Sequence, residues 1–178
     1  MHDPDHDLIT RCLNKEPVAE YHLYHRVSSK MYGICLRYGG NATDADEILQ
    51  TGFIRLFTNL SHFRFEGPLE GWARSIFINA AISYNKKFMK LRQEVELAFA
   101  GDFTSIQEDV LSGMAVKEML ALIHRLPVGC RTIFNLYEIE GFKHDEIADQ
   151  LGISVGTSKS QLNYAKTAIR QMLKSDGT

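Results

Sequence analysis

The stretch IADQLGISVGTSKSQLNYAKTAIRQML, residues 147–173, decides the fold of the C-terminal part of this 178-residue chain. Its apolar residues recur at helical spacing, yet Gly152 and Gly156 interrupt the pattern. Because a glycine inside a helix costs roughly 1 kcal/mol relative to alanine, each glycine needs a structural reason. Gly152 has one if it takes the left-handed conformation that ends one helix, with Ser154 capping the next. The stretch therefore predicts a helix-turn-helix corner.

The second helix of this corner carries groups suited to binding DNA. Gly156 permits close backbone approach, and the free N–H groups of a helix N-terminus bind phosphates. Residues 154–174 contain basic residues and no acidic residue. Side chains that donate hydrogen bonds here can reach phosphates and base edges. The predicted DNA contacts are Ser154, Thr157, Ser158, Lys159, Gln161 and Lys166. A helical hairpin with a merely polar face is the alternative interpretation.

Helical periodicity continues through most of the remaining chain, with few strand signals. From Pro17 to Tyr38 the apolar residues recur at steps of three and four, and two glycines then supply a stop. Thr43 and the acidic residues after it are typical of the cap and first turn of another helix. Residues 61–71 contain glycine and proline and predict a loop, after which a helix runs to about residue 92.

The domain organisation follows from where this periodicity weakens, over residues 93–107. We predict an all-α fold of two small helical domains, residues 1–92 and 108–178, joined by a flexible linker at 93–107. The second domain is the helix-turn-helix domain.

No apolar run approaches the roughly 20 residues of a membrane span. The three cysteines are widely spaced and the N-terminus lacks a secretory signal, so we expect a cytoplasmic protein with reduced thiols and no membrane insertion.

Charge is segregated along the chain although the net charge is only −2. Basic residues without acids occupy residues 84–92 as well as residues 154–174. Acidic residues collect near the N-terminus and at residues 44–47. This pattern indicates two kinds of partner, one of them a polyanion, although solvated helix faces would also produce it.

Three segments, taken in order, are similar to the motifs of one family. They are DADEILQTGFIRLFTNL (residues 44–60), FEGPLEGWARSIFINAAISYNKK (residues 65–87) and LPVGCRTIFNLYEIEGFKHDEIADQLGISVGTSKSQL (residues 126–162). Together they resemble an extracytoplasmic-function sigma factor, the smallest class of bacterial sigma factors. In that family the first segment binds core RNA polymerase, the second melts promoter DNA and the third binds the upstream promoter element. The resemblance implies a non-enzymatic protein that directs core RNA polymerase to promoters and helps to open them.

The first segment, by this resemblance, docks onto the clamp helices of the largest catalytic polymerase subunit. A polar, acid-led helix face suits a basic partner helix. The implied polymerase-binding residues are Asp46, Glu47, Gln50 and Arg55.

The second segment, by the same resemblance, recognises and melts the −10 element. Opening a duplex requires stacking platforms or pockets for unpaired bases, and aromatic residues flank a Gly-Pro loop here. We expect the loop to form a pocket for a flipped non-template base, with Asn79 reading it. The implied −10 residues are Phe63, Phe65, Trp72, Arg74, Asn79, Lys86 and Lys87.

The third segment implies that the DNA contacts predicted for the corner bind the −35 element of promoter DNA. Ser158 stands where the family usually has valine, which predicts softer packing between the two helices. Family members are commonly held inactive by an anti-sigma factor that wedges between the two domains. An anti-sigma partner is therefore expected here as well.

Other classes of function are less well supported by the sequence. A stand-alone helix-turn-helix regulator would leave residues 44–60 without a role. A nucleic-acid enzyme would need a carboxylate or metal constellation that the motifs lack, and a helical adaptor would not need an acid-free second helix. Histidines and a cysteine near the N-terminus form no compact set, and the terminus that holds His6 is expected to be frayed. No metal and no cofactor is predicted.

Overall fold

The computed structural model of the protein describes residues 4–96 and 116–176. Every regular element within these ranges is helical, which confirms the predicted all-α class. The helices are α1 (Pro4–Leu13), α2 (Pro17–Tyr38), α3 (Ala42–Thr58), α4 (Leu69–Glu96), α5 (Val116–His124), α6 (Val128–Phe134), α7 (His144–Leu151) and α8 (Val155–Asp176), with a 3₁₀ turn at Leu60–His62 and a π-helical turn at Asn135–Ile139.

The chain divides into two compact units, residues 1–81 and 82–178. The division falls inside α4 and not in the predicted linker. Helix α4 continues to Glu96, so the first residues of the predicted linker are helical. Its remaining residues lie outside the described part of the chain.

The first unit packs α1, α2, α3 and the start of α4 around a fully buried apolar core that includes Leu23, Ile48 and Phe77. Gly52 lies where α3 meets α4, and a methyl group on it would come within 2.3 Å of the Phe77 ring. A glycine in the middle of α3 is therefore required by the close approach of Phe77. The lower helix stability of glycine at this position is offset by the close packing of Phe77 against α3.

The starts of α1 and α3 differ from the sequence prediction. Asn41, not Thr43, caps α3, because its Oδ1 accepts a hydrogen bond from the Asp44 backbone N–H at 2.9 Å. The terminus expected to be frayed forms α1 from Pro4 onward. Buried Ile9 and Cys12 anchor α1 in the core of the first unit.

The second unit contains α5 to α8 and the second half of α4. Its core includes Ile133, Leu136 and Ile147, all buried. A buried hydrogen bond from Asn85 Nδ2 to Thr132 Oγ1, 2.9 Å long, joins α4 to α6 within this unit. Residues 128–139 are divided between α6 and the π-helical turn.

Candidate functional site

The corner between α7 and α8 has the geometry that its glycine predicted. Gly152 has φ +70°, and its N–H donates to the Ala148 carbonyl at 2.8 Å, while Ile153 N–H donates to the same carbonyl at 3.1 Å. Ser154 Oγ then accepts from the Thr157 backbone N–H at 3.0 Å and caps α8. These bonds end one helix and begin the next within three residues, which confirms the predicted corner.

The first turns of α8 present an exposed surface, named here the α8 surface and formed by Ser154, Val155, Gly156, Lys159 and Ser160. A methyl group on Gly156 would have only Ser154 Oγ nearby, at 3.6 Å, so the backbone of this turn is open to an approaching ligand. Thr157 is half-buried and its hydroxyl lies 2.9 Å from that of Ser154. Tyr164, one turn after Ser160 and 37% exposed, extends this surface and was missed in the sequence.

Ser158 lies between the two helices, where the family resemblance predicted it to pack, and not among the exposed residues predicted to contact DNA. Its side chain is fully buried, and Oγ lies 2.9 Å from His144 Nδ1 in α7. The hydroxyl that replaces the family's usual valine is thus paired within the corner and does not face solvent. The His144 ring stacks on Tyr137 with centroids 4.4 Å apart. Burial lowers the pKa of His144, and the positive charge of Lys159 lowers it further.

Gln161 and Lys166 are also engaged within the second unit. The Gln161 amide oxygen is buried against Gly129 and has no hydrogen-bond partner among the described residues. Lys166 Nζ forms an ion pair with Glu138 of the π-helical turn at 2.6 Å. Of the six predicted contacts, Ser154 and Lys159 are exposed and Thr157 is half-buried, while Ser158, Gln161 and Lys166 contact other elements of the second unit.

The loop before α4 forms a pocket of about 470 Å³ in the first unit. Its walls are the loop itself and the first two turns of α4. Phe63 is buried, and its ring centroid lies 5.3 Å from that of Trp72. The lining residues are His62, Phe63, Arg64, Glu66, Gly67, Pro68, Gly71, Trp72 and Ser75.

None of the other predicted −10 residues lines this pocket. Phe65 packs its ring on Phe63 with centroids 4.9 Å apart but does not line the cavity. Asn79 is exposed one helical turn beyond Ser75, and Arg74 is exposed about half a turn around α4 from Trp72. Lys86 is half-buried and Lys87 exposed, on the part of α4 that belongs to the second unit. His62, Arg64 and Glu66 were missed because no spacing rule applies to loop residues.

Three of the four predicted polymerase-binding residues lie along an open groove of about 760 Å³ between α2 and α3, named here the α2–α3 groove. Asp46, Glu47 and Gln50 line it and are exposed. Arg55 is half-buried and does not line it. The apolar lining of the groove was not predicted, and within it Ile54 is 63% exposed. Its position one helical turn after Gln50 is the signal that could have found it.

Comparisons with known proteins agree with this arrangement. The model of Sigma-70 region 2 matches residues 23–88, and that of Sigma-70 region 4 matches residues 117–169. The ECF RNA polymerase sigma factor EcfG of Rhodopseudomonas palustris is 30% identical over 141 residues, which cover 78% of this chain and 76% of EcfG. The chain belongs to the ECF RNA polymerase sigma factors. This sigma factor is therefore a transcription initiation factor and not an enzyme, as predicted.

Other relatives support the family and the fold. The ECF sigma factor SigE of Mycolicibacterium smegmatis is 25% identical over 158 residues, and the match spans 85% of this chain but only 60% of SigE. The solved structure of the sigma factor RpoE from Bartonella quintana, in complex with the anti-sigma factor NepR, aligns with a TM-score of 0.53. That alignment has 17% identity and covers 88% of this sigma factor and 97% of RpoE, so it supports the fold alone.

The surfaces described above fall inside the matched regions. The α2–α3 groove and the loop pocket lie within the region 2 match, and the helix-turn-helix corner lies within the region 4 match. Among the described residues, no helix is both long enough and apolar enough to cross a membrane.

Proposed function

We propose that this sigma factor divides promoter recognition among three surfaces. The α2–α3 groove binds core RNA polymerase, the loop pocket holds an unpaired base of the −10 element and opens the DNA, and the α8 surface binds the −35 element. The observation that carries the proposal is the loop pocket. A stand-alone duplex-binding regulator needs a helix-turn-helix but has no use for an aromatic-floored pocket of about 470 Å³ in its other unit.

The groove has the composition of a protein-docking site. Exposed Ile54 supplies apolar area at its centre, and Tyr24 and Phe53, with ring centroids 4.5 Å apart, form one wall. Such apolar and aromatic anchors carry most of the binding energy of protein interfaces. The acidic side chains on the groove steer and orient a basic partner helix. We therefore assign polymerase docking to Asp46, Glu47, Gln50 and Ile54, and leave Arg55 outside the contact.

The loop pocket suits a base that has left the duplex stack. Phe63 and Trp72 offer π-faces for stacking, which stabilises an unpaired base by about 1–3 kcal/mol. Arg64 and Glu66 bring a donor and an acceptor to the same cavity, so they can read the edge of the base. Asn79, one turn further along α4, is assigned to the neighbouring nucleotide. Lys87 is assigned to phosphate contact, because its exposed positive charge can neutralise a phosphate group.

The α8 surface suits duplex DNA in the major groove. Its uncovered first turn offers backbone N–H groups to a phosphate, and Lys159 adds a positive charge beside them. Ser154, Ser160 and Tyr164 are assigned to the remaining contacts with the −35 element. Each DNA contact alone is modest, but tethering both to one polymerase raises their effective concentration.

We further propose that the protein acts in the cytoplasm and that an anti-sigma factor regulates it. The support is that a solved sigma factor of this fold, RpoE, was determined in complex with the anti-sigma factor NepR. Co-purification of the chain from its native host tests this partner.

The decisive experiment reconstitutes the chain with core RNA polymerase and sequences the transcripts made from genomic DNA. We expect a discrete set of start sites that core polymerase alone does not use. The Asp46→Ala, Gln50→Ala double variant should lose polymerase binding and keep its fold, whereas Lys159→Ala should keep polymerase binding and lose −35 occupancy. Specific duplex binding without polymerase, and no transcripts with it, would favour the stand-alone regulator instead.

A further inference from the structure

Helix α1 reaches the loop pocket through a continuous row of aromatic rings, named here the ring row. The tilted His6 ring contacts Phe65 with centroids 4.9 Å apart, Phe65 meets Phe63 edge-on at 4.9 Å, and Phe63 contacts the tilted Trp72 ring at 5.3 Å. Two of its members, Phe63 and Trp72, line the pocket. The row therefore connects the first turn of α1 to the pocket wall without a gap.

The backbone of the loop shows why it needs support. Phe65 has φ +57°, in the left-handed region that favours glycine and disfavours a residue with a bulky side chain. Such a conformation persists only where surrounding contacts impose it. Within the described residues, the ring contacts of Phe65 are with His6 on one side and Phe63 on the other.

A second link joins α1 to the other end of the loop. Arg26 of α2 donates from Nη1 to Asp5 of α1 at 2.5 Å and from Nε to Glu70, at the start of α4, at 3.0 Å. The Asp5 and Glu70 side chains are only 16% and 27% exposed. The Glu70 carboxylate accepts hydrogen bonds from its own backbone N–H and from Arg26, and both lower its pKa, so it stays charged in this bridge.

We propose that α1 holds the loop pocket in a base-accepting shape before DNA arrives, with His6 and Arg26 as positioning residues. His6 acts through the ring row on the pocket wall, and Arg26 fixes the start of α4 relative to α1. The proposal rests on the proposed function in one respect, that the pocket accepts an unpaired base. Preorganisation of this kind strengthens binding because the ordering cost is met before the ligand arrives.

Trp72 is the sole tryptophan of the chain and so reports on the pocket without DNA. We expect His6→Ala to shift the Trp72 emission to longer wavelength and to raise its quenching by acrylamide. His6→Phe, which restores a ring at the same place, should return both toward the wild-type values. The matched control is His22→Ala, which removes an exposed histidine on α2 outside the ring row. Because buried Ile9 and Cys12 also anchor α1, the His6 variants should keep the fold, which circular dichroism checks.

The DNA arm uses the reconstituted holoenzyme and a labelled single-stranded oligonucleotide with the non-template −10 sequence of a promoter found by genomic transcription. His6→Ala should weaken its binding roughly fivefold, the equivalent of one base–aromatic stacking contact, and leave −35 duplex binding unchanged. Arg26→Gln should act in the same direction. Unchanged Trp72 fluorescence in His6→Ala would overturn the proposal and leave the proposed function intact. If the wild-type holoenzyme does not bind the single-stranded oligonucleotide, the proposed function is overturned. The Trp72 fluorescence measurements would still test the role of α1.

Discussion

The α7–α8 corner and the loop pocket both connect two helices, but different forces hold them. The corner is closed by bonds among residues 148–157, with Gly152 in a conformation that glycine adopts at little cost. The pocket loop places Phe65 in the same left-handed region and depends on His6, almost sixty positions earlier in the chain, and on Arg26. A locally encoded turn is readable in the sequence, whereas a turn held by distant side chains is not.

The largest effect expected concerns the core of the first unit. Gly52→Ala should destabilise the first unit by about 3 kcal/mol, because the added methyl group meets the ring of Phe77 at 2.3 Å. The Phe77 side chain is fully buried and packs edge-on against Phe53 at 5.1 Å, so it cannot move aside cheaply. Urea unfolding measures the loss.

Gly33→Ala is the matched control for this substitution. A methyl group on Gly33 of α2 meets nothing within 4 Å, so alanine there should stabilise the helix by up to about 1 kcal/mol. If Gly52→Ala and Gly33→Ala were equally stable, α3 and α4 would not be packed as closely around Gly52 as the structure shows.

The corresponding change in the corner should be smaller. Gly152→Ala should cost about 1–2 kcal/mol, because alanine at φ +70° brings its methyl group against the backbone. Gly152→Asn should cost less, since asparagine tolerates this conformation. Gly156→Ala is the control, because its methyl group has ordinary clearance in the first turn of α8 and should leave stability unchanged or raise it slightly. Thermal unfolding of the three variants ranks them, and a loss in Gly156→Ala equal to that in Gly152→Ala would contradict the local account of the corner.

What could be predicted from sequence follows the same division. The helix class, the Gly152 turn and the Ser154 cap depend on neighbours within a few residues, and the structure bears them out. Helix α1 was missed because its stability comes from tertiary contacts of Ile9 and Asp5, which no local pattern reveals. Ser158 was predicted both to contact DNA and to pack between the two helices. Only the second prediction agrees with its buried position, because its partner His144 lies on the other helix.

The pairing of His144 with Ser158 predicts a pH-dependent stability of the corner. Burial lowers the folded-state pKa of His144, so the unfolded chain binds a proton more readily than the folded chain. Stability should therefore be constant above the unfolded-state value of about 6.5 and fall as the pH drops below it. His144→Gln should reduce this slope in urea unfolding series at about pH 7 and about pH 5. The wild-type minus variant difference isolates His144 from the other titrating groups, and identical slopes would refute its role.

The smallest effect expected concerns the ion pair that holds Lys166 away from the α8 surface. Lys166 and Glu138 are partly exposed, so Glu138→Gln should change stability by less than about 1 kcal/mol. It should nevertheless tighten duplex binding at low salt, because a released Lys166 can neutralise one more phosphate and steepen the salt dependence by about one. Asp149→Asn on α7 is the control, since it removes the same charge from an exposed position. If both variants bind DNA equally well, the gain comes from the loss of one negative charge at either place. Lys166 would then have a structural role and no DNA contact, as is the case for buried Ser158.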